Sequence, residues 1–275
     1  MVPAIGYALW EANRRVLDDQ AINAVEITYE RADDPLRTGR AVGELEFSYV
    51  SLHALRLSVA GGEPPARTYL DGLKAIADEN GAAAVSDHLG FTRDGDTGVE
   101  LGHFAPPPYT IDALDATCRN IEVVQNAIGG LPFFVENIAT LFHFRGTMAE
   151  DEFLTRVLER TGCGWLLDVT NLYANARNHS LDADAYLRRV MPVAPRVQVH
   201  LSGGFFDVEE GLYVDSHSRP VPDEVWGLYR RALELGRGKV EAVFIERDQD
   251  FPDEAGWRDE VGHARRIAEA VEAGR

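Results

Sequence analysis

The feature that most constrains this chain is an alternation of short apolar runs with amphipathic stretches, repeated from one end to the other. The runs are Ala4 to Tyr7, Ala24 to Ile27, Phe47 to His53, Ala83 to His88, Phe133 to Glu136, Trp165 to Asp168, Val197 to His200 and Ala242 to Glu246. Helix-like segments lie between them, among them Ala66 to Asn80, Asp112 to Ile128, Ala149 to Arg160, Asp182 to Met191 and Asp223 to Leu235. Strands alternating with helices pair in parallel, because a parallel connection must cross over the sheet through a dozen or more residues. Eight such units predict an α/β chain folded as a single (β/α)8 TIM-type barrel. With 275 residues, 45% of them apolar, one large core over residues 1–275 is the simplest division. Thr110 before an acidic first turn, Gly129-Gly130, Gly162 and Gly236 mark helix boundaries.

Charge and cysteine content narrow the classes of function. Against 27 Lys and Arg stand 45 Asp and Glu, a net charge of −18 that opposes a phosphate backbone, so no nucleic acid is expected as a partner. Cys118 and Cys163 form no CxxC pair, which suggests neither a disulfide framework nor a zinc knuckle and fits a reducing cytoplasm. Met1 to Leu9 is apolar without a basic leader region, and no window approaches the roughly 18 uninterrupted apolar residues of a membrane span. The expectation is a soluble cytoplasmic protein with no membrane partner.

The polar residues fall in a pattern. His53 closes SYVSLH, His88 closes AAVSDH, Glu136 closes PFFVE, Asp168 closes GWLLD, His200 closes VQVH and Glu246 closes VFIE. In a TIM barrel these carboxyl ends share one face, where active sites of the fold are built. Asp215 and His217 in YVDSHSRPV point the same way if that segment is extended, and Asn171 follows Asp168 by three positions. Imidazoles and carboxylates without thiolate suit Fe, Mn, Zn or Co. Nine candidate ligands exceed what one ion needs, so two or three ions are implied.

Each residue also has a plainer reading. Any one strand-end His can be a hydrogen-bonded core group, Asn171 a helix cap, and Asp87 a structural carboxylate facing away from His88. His143 and His263 read as solvated, His103 and His179 stay open, and Cys163 reads as a small buried hydrophobe. SVAGGE and HLSGG lack the spacing of phosphate loops. The long Thr92 to Tyr109 and Ser202 to Pro222 connections are candidates for function.

The motifs SLHALRLS, SDHLGF, PPPYT, RNIEVVQNAIGGLPFFVENIA, RTGCGWLLDVTNLYANARNHSLDADAYL, VQVHLSGG, DSHSRPVPDEVWGLYRRAL and FIERDQDFP cover nearly the whole chain. They resemble the multinuclear non-haem iron-dependent oxidative enzymes, a family long catalogued only as a domain of unknown function. The resemblance implies a TIM-type barrel with two or three irons and O2 as co-substrate. It also implies oxidation of a residue, commonly Cys, in a ribosomally synthesised precursor peptide. The positions matching its metal set are His53, His88, Glu136, Asp168, Asn171, His200, Asp215, His217 and Glu246. Of these, His53, His88, Glu136, Asp168, His200 and Glu246 are also the catalytic candidates. A small companion protein that recognises the peptide leader is implied as a partner. The long connections after strands four and seven would grip the peptide.

Three departures stand out. HLSGG places Gly204 where relatives often carry His, ITYERADDP leaves Glu26 and Glu30 undecided, and Thr170 stands where a second Asn is frequent. A competing reading is a divalent-metal sugar isomerase or endonuclease-like hydrolase of the xylose-isomerase-like barrel class, which needs a base or phosphate clamp. Lys74 and Lys239 are the only lysines, and neither ends a strand, while Arg56, Arg219 and Arg247 could supply charge. A non-catalytic metal- or peptide-binding module is the third reading.

Overall fold

A computed structural model describes residues 1–32, 46–93 and 98–274. Its strands are β1 (Ala4–Ala8), β2 (Ala24–Thr28), β3 (Tyr49–His53), β4 (Ala84–His88), β5 (Phe91–Arg93), β6 (Glu100–Ala105), β7 (Phe133–Glu136), β8 (Gly164–Asp168), β9 (Val197–Leu201), β10 (Phe205–Asp207), β11 (Leu212–Val214) and β12 (Val240–Ile245). Eight of them close a parallel barrel in the order β1-β12-β9-β8-β7-β4-β3-β2. These are the eight expected strands, with ends shifted by one or two residues. Two antiparallel hairpins, β5-β6 and β10-β11, rise from the carboxyl ends of β4 and β9.

Helices α1 (Tyr29–Ala32), α2 (Arg67–Glu79), α3 (Ile111–Ala127), α4 (Glu150–Thr161), α5 (Val169–His179), α6 (Ala183–Val190), α7 (Asp223–Gly236) and α8 (Glu254–Ala273) accompany the barrel. Thr110 caps α3 by accepting from the N–H of Ala113 at 3.3 Å, and Gly129, Gly130 and Gly162 take positive φ as anticipated. After α7 the left-handed residue is Arg237, not Gly236. No helix among the described residues is long and apolar enough to cross a membrane.

The period-2 alternation of the strands sorts their side chains into two layers. Outward residues such as Val25, Leu52, Val85, Val135, Trp165, Leu167, Val199 and Val243 are buried in one large core with Leu73, Ile121, Val157, Leu187 and Tyr229 of the helices. Inward residues below the mouth form small plugs: Ala24, Ala242 and Phe244 in one, Ala84, Phe134 and Leu166 in the other, with Tyr49 against both. Gly164 is required there, since a Cβ on it would lie 2.3 Å from the Phe134 ring. Two residues further along each strand the same inward register reaches Glu26, Glu136, Asp168 and Glu246. Gln198 stands two residues below His200 in the same way, and Tyr49 and Ala84 stand four residues below His53 and His88. The apolar plug therefore ends where a polar layer begins.

Candidate metal centre

The inward register brings the strand-end residues together. Glu136 on β7 lies between two groups: its Oε2 is 3.5 Å from His53 Nε2 and 3.6 Å from His88 Nε2, while its Oε1 is 3.5 Å from His200 Nδ1. His200 Nδ1 is also 3.2 Å from Glu246 Oε2, which is 3.6 Å from His217 Nδ1. His217 Nε2 meets Asp215 Oδ2 at 3.0 Å. Asp168 is fully buried; its Oδ1 accepts the N–H of Asn171, and the Asn171 amide donates to Glu136 Oε1 at 3.5 Å. All nine residues singled out in the sequence thus lie in or beside one cluster.

Asp215 and His217 arrive differently from the expectation of an extended segment. β11 stops at Val214, and His217 has φ +49, so a left-handed turn carries its ring to Glu246. Asn171 sits inside α5 with its own N–H capped by Asp168, and its side-chain amide donates to the Asn137 carbonyl at 3.0 Å beside Glu136.

Sequence reasoning left Glu26 undecided, and the structure buries it in the cluster with Oε1 at 2.9 Å from His200 Nε2. The available signal was a carboxylate at an inward position of the otherwise apolar AVEIT strand. Glu30 is directed elsewhere: it accepts from the N–H of Leu55 and from the Tyr69 hydroxyl. Asp87 is not turned away from His88 as expected: its Oδ2 accepts from the N–H of Leu57 at 2.7 Å, while its Oδ1 accepts the N–H of His88 at 2.5 Å and lies 3.5 Å from the His88 ring Nδ1. His103 lines the cavity above the cluster, whereas His179 Nε2 donates to the Thr140 carbonyl at 2.6 Å and its ring packs on the exposed His143. His263 is half-buried rather than solvated, because its ring stacks on Trp226 at 4.6 Å.

The lone pairs left over test whether metal ions fit. Glu26 Oε2, Glu136 Oε2, Asp168 Oδ2, Asn171 Oδ1, His88 Nδ1 and both ring nitrogens of His200 are buried without a hydrogen-bond partner, although His200 and Glu26 come within 2.9 Å. Buried polar atoms in that state are costly unless something else satisfies them. Four overlapping sets each place their ligand atoms within 4.8 Å of one another: His53-His88-Glu136, Glu26-His200-Glu246, Glu136-Asp168-His200 and Asp168-His217-Glu246. Their donors are imidazole nitrogen and carboxylate oxygen, the set that suits Fe, Mn, Zn or Co. No thiolate competes, since both cysteines are buried and burial pushes the Cys163 thiol up to about 12. The residues fit a cation cluster.

Electrostatics agree. Burial pushes His53 down to about 3, so its imidazole is neutral and offers a lone pair. Burial and the neighbouring Asp215 and Glu136 carboxylates raise Asp168 well above its ordinary range. Burial alone would lower His200, but Glu246, Glu26 and Glu136 carry it well above. The protons held there are the positive charge that bound cations would replace.

Above the cluster opens a cavity of about 440 Å³, lined among others by Trp10, Phe104, Ile138, Tyr213 and Asp248. Phe104 on β6 stacks on the His88 ring at 3.7 Å, closing one side.

Solved structures similar to this chain share its fold. A xylose isomerase-like TIM barrel protein from Mycobacterium smegmatis in complex with magnesium matches with TM-score 0.60 and 14% identity over 94% of this chain and 87% of its own. A 3-keto-D-glucoside 4-epimerase from E. coli matches with TM-score 0.59 and 11% identity over 96% and 99%. The chain therefore has a xylose-isomerase-like barrel. In sequence, a UPF0276 protein of Rhizorhabdus wittichii is 42% identical over 221 residues, covering 80% of this chain and 77% of that protein. One of Caulobacter vibrioides is 40% identical over 204 residues, covering 74% and 70%. Residues 9–269 match the model of the RiPP precursor modification enzymes MbnB/TglH/ChrH, where RiPP denotes a ribosomally synthesised and post-translationally modified peptide, and the chain belongs to that family.

Proposed function

We propose that this chain is a cytoplasmic, multinuclear non-haem iron enzyme that uses O2 to oxidise a residue, Cys in the first instance, of a ribosomally synthesised precursor peptide. Membership of a family that modifies such precursors supports the substrate class. The observation that carries the metal reading is the buried set of unsatisfied nitrogen and oxygen lone pairs shared among four overlapping ligand groups. We read residues 1–275 as one domain, working with a small companion protein that recognises the leader.

In this reading His53, His88 and Glu136 hold one iron, and Asp168, His217 and Glu246 hold another. Glu136 and His200 stand between them and serve a third if it is present, with Asn171, Asp215 and Glu26 completing the shell. Iron bound there would supply electrons to O2. Phe104 covers one side of His88 and keeps water from it. The substrate residue enters through the cavity above the cluster.

The competing sugar isomerase or hydrolase reading asks for a base or phosphate clamp: neither lysine lines the cavity, Lys239 donating to the carbonyls of Met191 and Pro192 and Lys74 pairing with Asp78, nor do Arg56, Arg219 or Arg247, although Arg31 does.

Elemental analysis of purified protein tests the proposal: two or more irons per chain, lowered in His200→Ala and Glu246→Ala, and O2 consumed only with peptide. Zinc or manganese with O2-independent turnover of a sugar, or undiminished iron in both variants, overturns it.

A further inference from the structure

The β10-β11 hairpin stands on the cavity wall, and its two edges are treated differently. On the outer edge of β11, the N–H of Tyr213 donates to Asn178 Oδ1 at 2.8 Å and the Asn178 amide donates to the Tyr213 carbonyl at 2.9 Å. One side chain thus closes that edge as a neighbouring strand would. Because Tyr213 turns its backbone groups away from β10, its cross-strand partner Phe206 turns its own away from β11. Outside the β10-β11 ladder, no hydrogen bond to the Phe206 N–H or C=O occurs among the described residues.

We infer that this open β10 edge receives an extended segment of the precursor peptide as an added strand, and that the segment alternates apolar with basic side chains. The inference rests on the peptide-modifying reading and names how that same site takes its substrate.

Three observations point to this occupant. Phe205 and Phe206 are 42% and 46% exposed and Val208 83% exposed, an apolar surface of the kind that marks an interaction site. Phe205 shares its face with its cross-strand partner Val214, which lines the cavity together with Asp215 and His217, so β10 is one strand removed from the cavity wall. Asp207 ends β10 and Glu209 and Glu210 follow in the turn; none of the three forms an ion pair among the described residues, and the Arg177 guanidinium lies 5.7 Å over the Phe206 ring. Added-strand recognition takes its affinity from backbone hydrogen bonds and its choice from alternate side chains, and acidic groups at the rim select basic partners. The other hairpin is a poorer template, since Gly102 with φ +71 interrupts the regular course of β6.

The probe is a fluorescein-labelled synthetic decapeptide of alternating Val and Lys, compared at physiological salt with its Val-Glu counterpart. Two further forms are N-methylated, one on every Val and one on every Lys, so that each loses the donors of one strand edge. The Val-Lys peptide is expected to bind about tenfold more tightly than the Val-Glu peptide and than it binds Glu209→Gln/Glu210→Gln, with one of the two methylated forms losing binding by a similar factor. The amide of Phe206 becomes protected from hydrogen exchange in the complex. Equal binding by both methylated forms, or an unprotected Phe206 amide, overturns the inference. Both hairpin variants and wild type are expected to carry the same metal. An iron-loaded protein whose β10 edge stays open would fail the inference alone, whereas a metal-free protein that still adds the peptide strand would fail the oxidative reading alone.

Discussion

The backbone N–H of Asn171 donates to Oδ1 of Asp168 at 2.7 Å, so one carboxylate caps helix α5 with one oxygen and turns the other, unsatisfied, into the cluster. The two duties separate by substitution. Asp168→Asn retains an N-cap acceptor and loses the charge; Asp168→Ala loses both, at an added cost of about 1 kcal/mol for the cap. Both are expected to lower bound metal. In metal-free protein the sign is set by the raised carboxyl: a group that holds its proton in the folded state favours folding at low pH and loses that contribution as pH rises through its folded-state value. Asp168→Asn should therefore gain stability relative to wild type as pH rises from the carboxylate range, measured by urea denaturation of chelator-treated samples.

Glu136 touches His53, His88 and His200 together. Glu136→Ala should lower metal per chain more than His88→Ala does, because it belongs to two ligand sets and His88 to one. Elemental analysis of the two variants side by side decides it; equal loss would mean that the sets are not shared.

At Gly204, where the resemblance marks a departure from the family pattern, the surroundings leave no room for a side chain. A Cβ there would lie 2.0 Å from the carbonyl oxygen of Val214, and its N–H donates to the Tyr213 hydroxyl at 2.8 Å. Gly204→His is expected to disrupt the β10-β11 hairpin without adding a metal ligand, and Gly204→Ala to cost about 1 to 3 kcal/mol, since the obstructing atom is backbone. Chemical denaturation and metal content measured together check this, and an additional bound ion in Gly204→His would refute it.

Away from the cluster, burial pushes Glu150 up to about 7, while the hydroxyls of Tyr186, at 3.0 Å, and Tyr109 partly hold it back. A raised folded-state value means stability fully present below the unfolded carboxyl range near 4.5 and lost as pH climbs toward 7. Glu150→Gln should remove up to about 3 kcal/mol of that pH dependence, read as a flatter stability curve between pH 4.5 and 7. A slope unchanged by the substitution would show that the proton is held elsewhere.

The barrel was legible because strand length, apolar content and crossover length all carry the same message, and the six strand-end residues because an inward register must finish somewhere polar. Helix α5 was harder to see. Thr170, Asn171 and Asn175 occupy buried positions there, so the face that meets the barrel lacks the apolar stripe by which amphipathic helices are recognised. Glu26 was ambiguous for a related reason: a lone carboxylate inside an apolar strand reads as an irregularity until the eight strands close and His200 appears opposite it. The turn that delivers His217 depends on a left-handed backbone at a residue type that gives little warning of it.

Asn178 fastens the β10-β11 hairpin to α5 through two hydrogen bonds to a single residue of β11. Both of these bonds are made to backbone atoms of Tyr213 and so do not depend on its side chain. A lineage can rewrite residues 205–212 while Asn178 keeps gripping the backbone at 213, and the ligand-bearing strand ends are untouched by the change. An engineer has the same freedom: grafted hairpins of different charge on one unaltered barrel form a natural library for redirecting such a catalyst to new peptides.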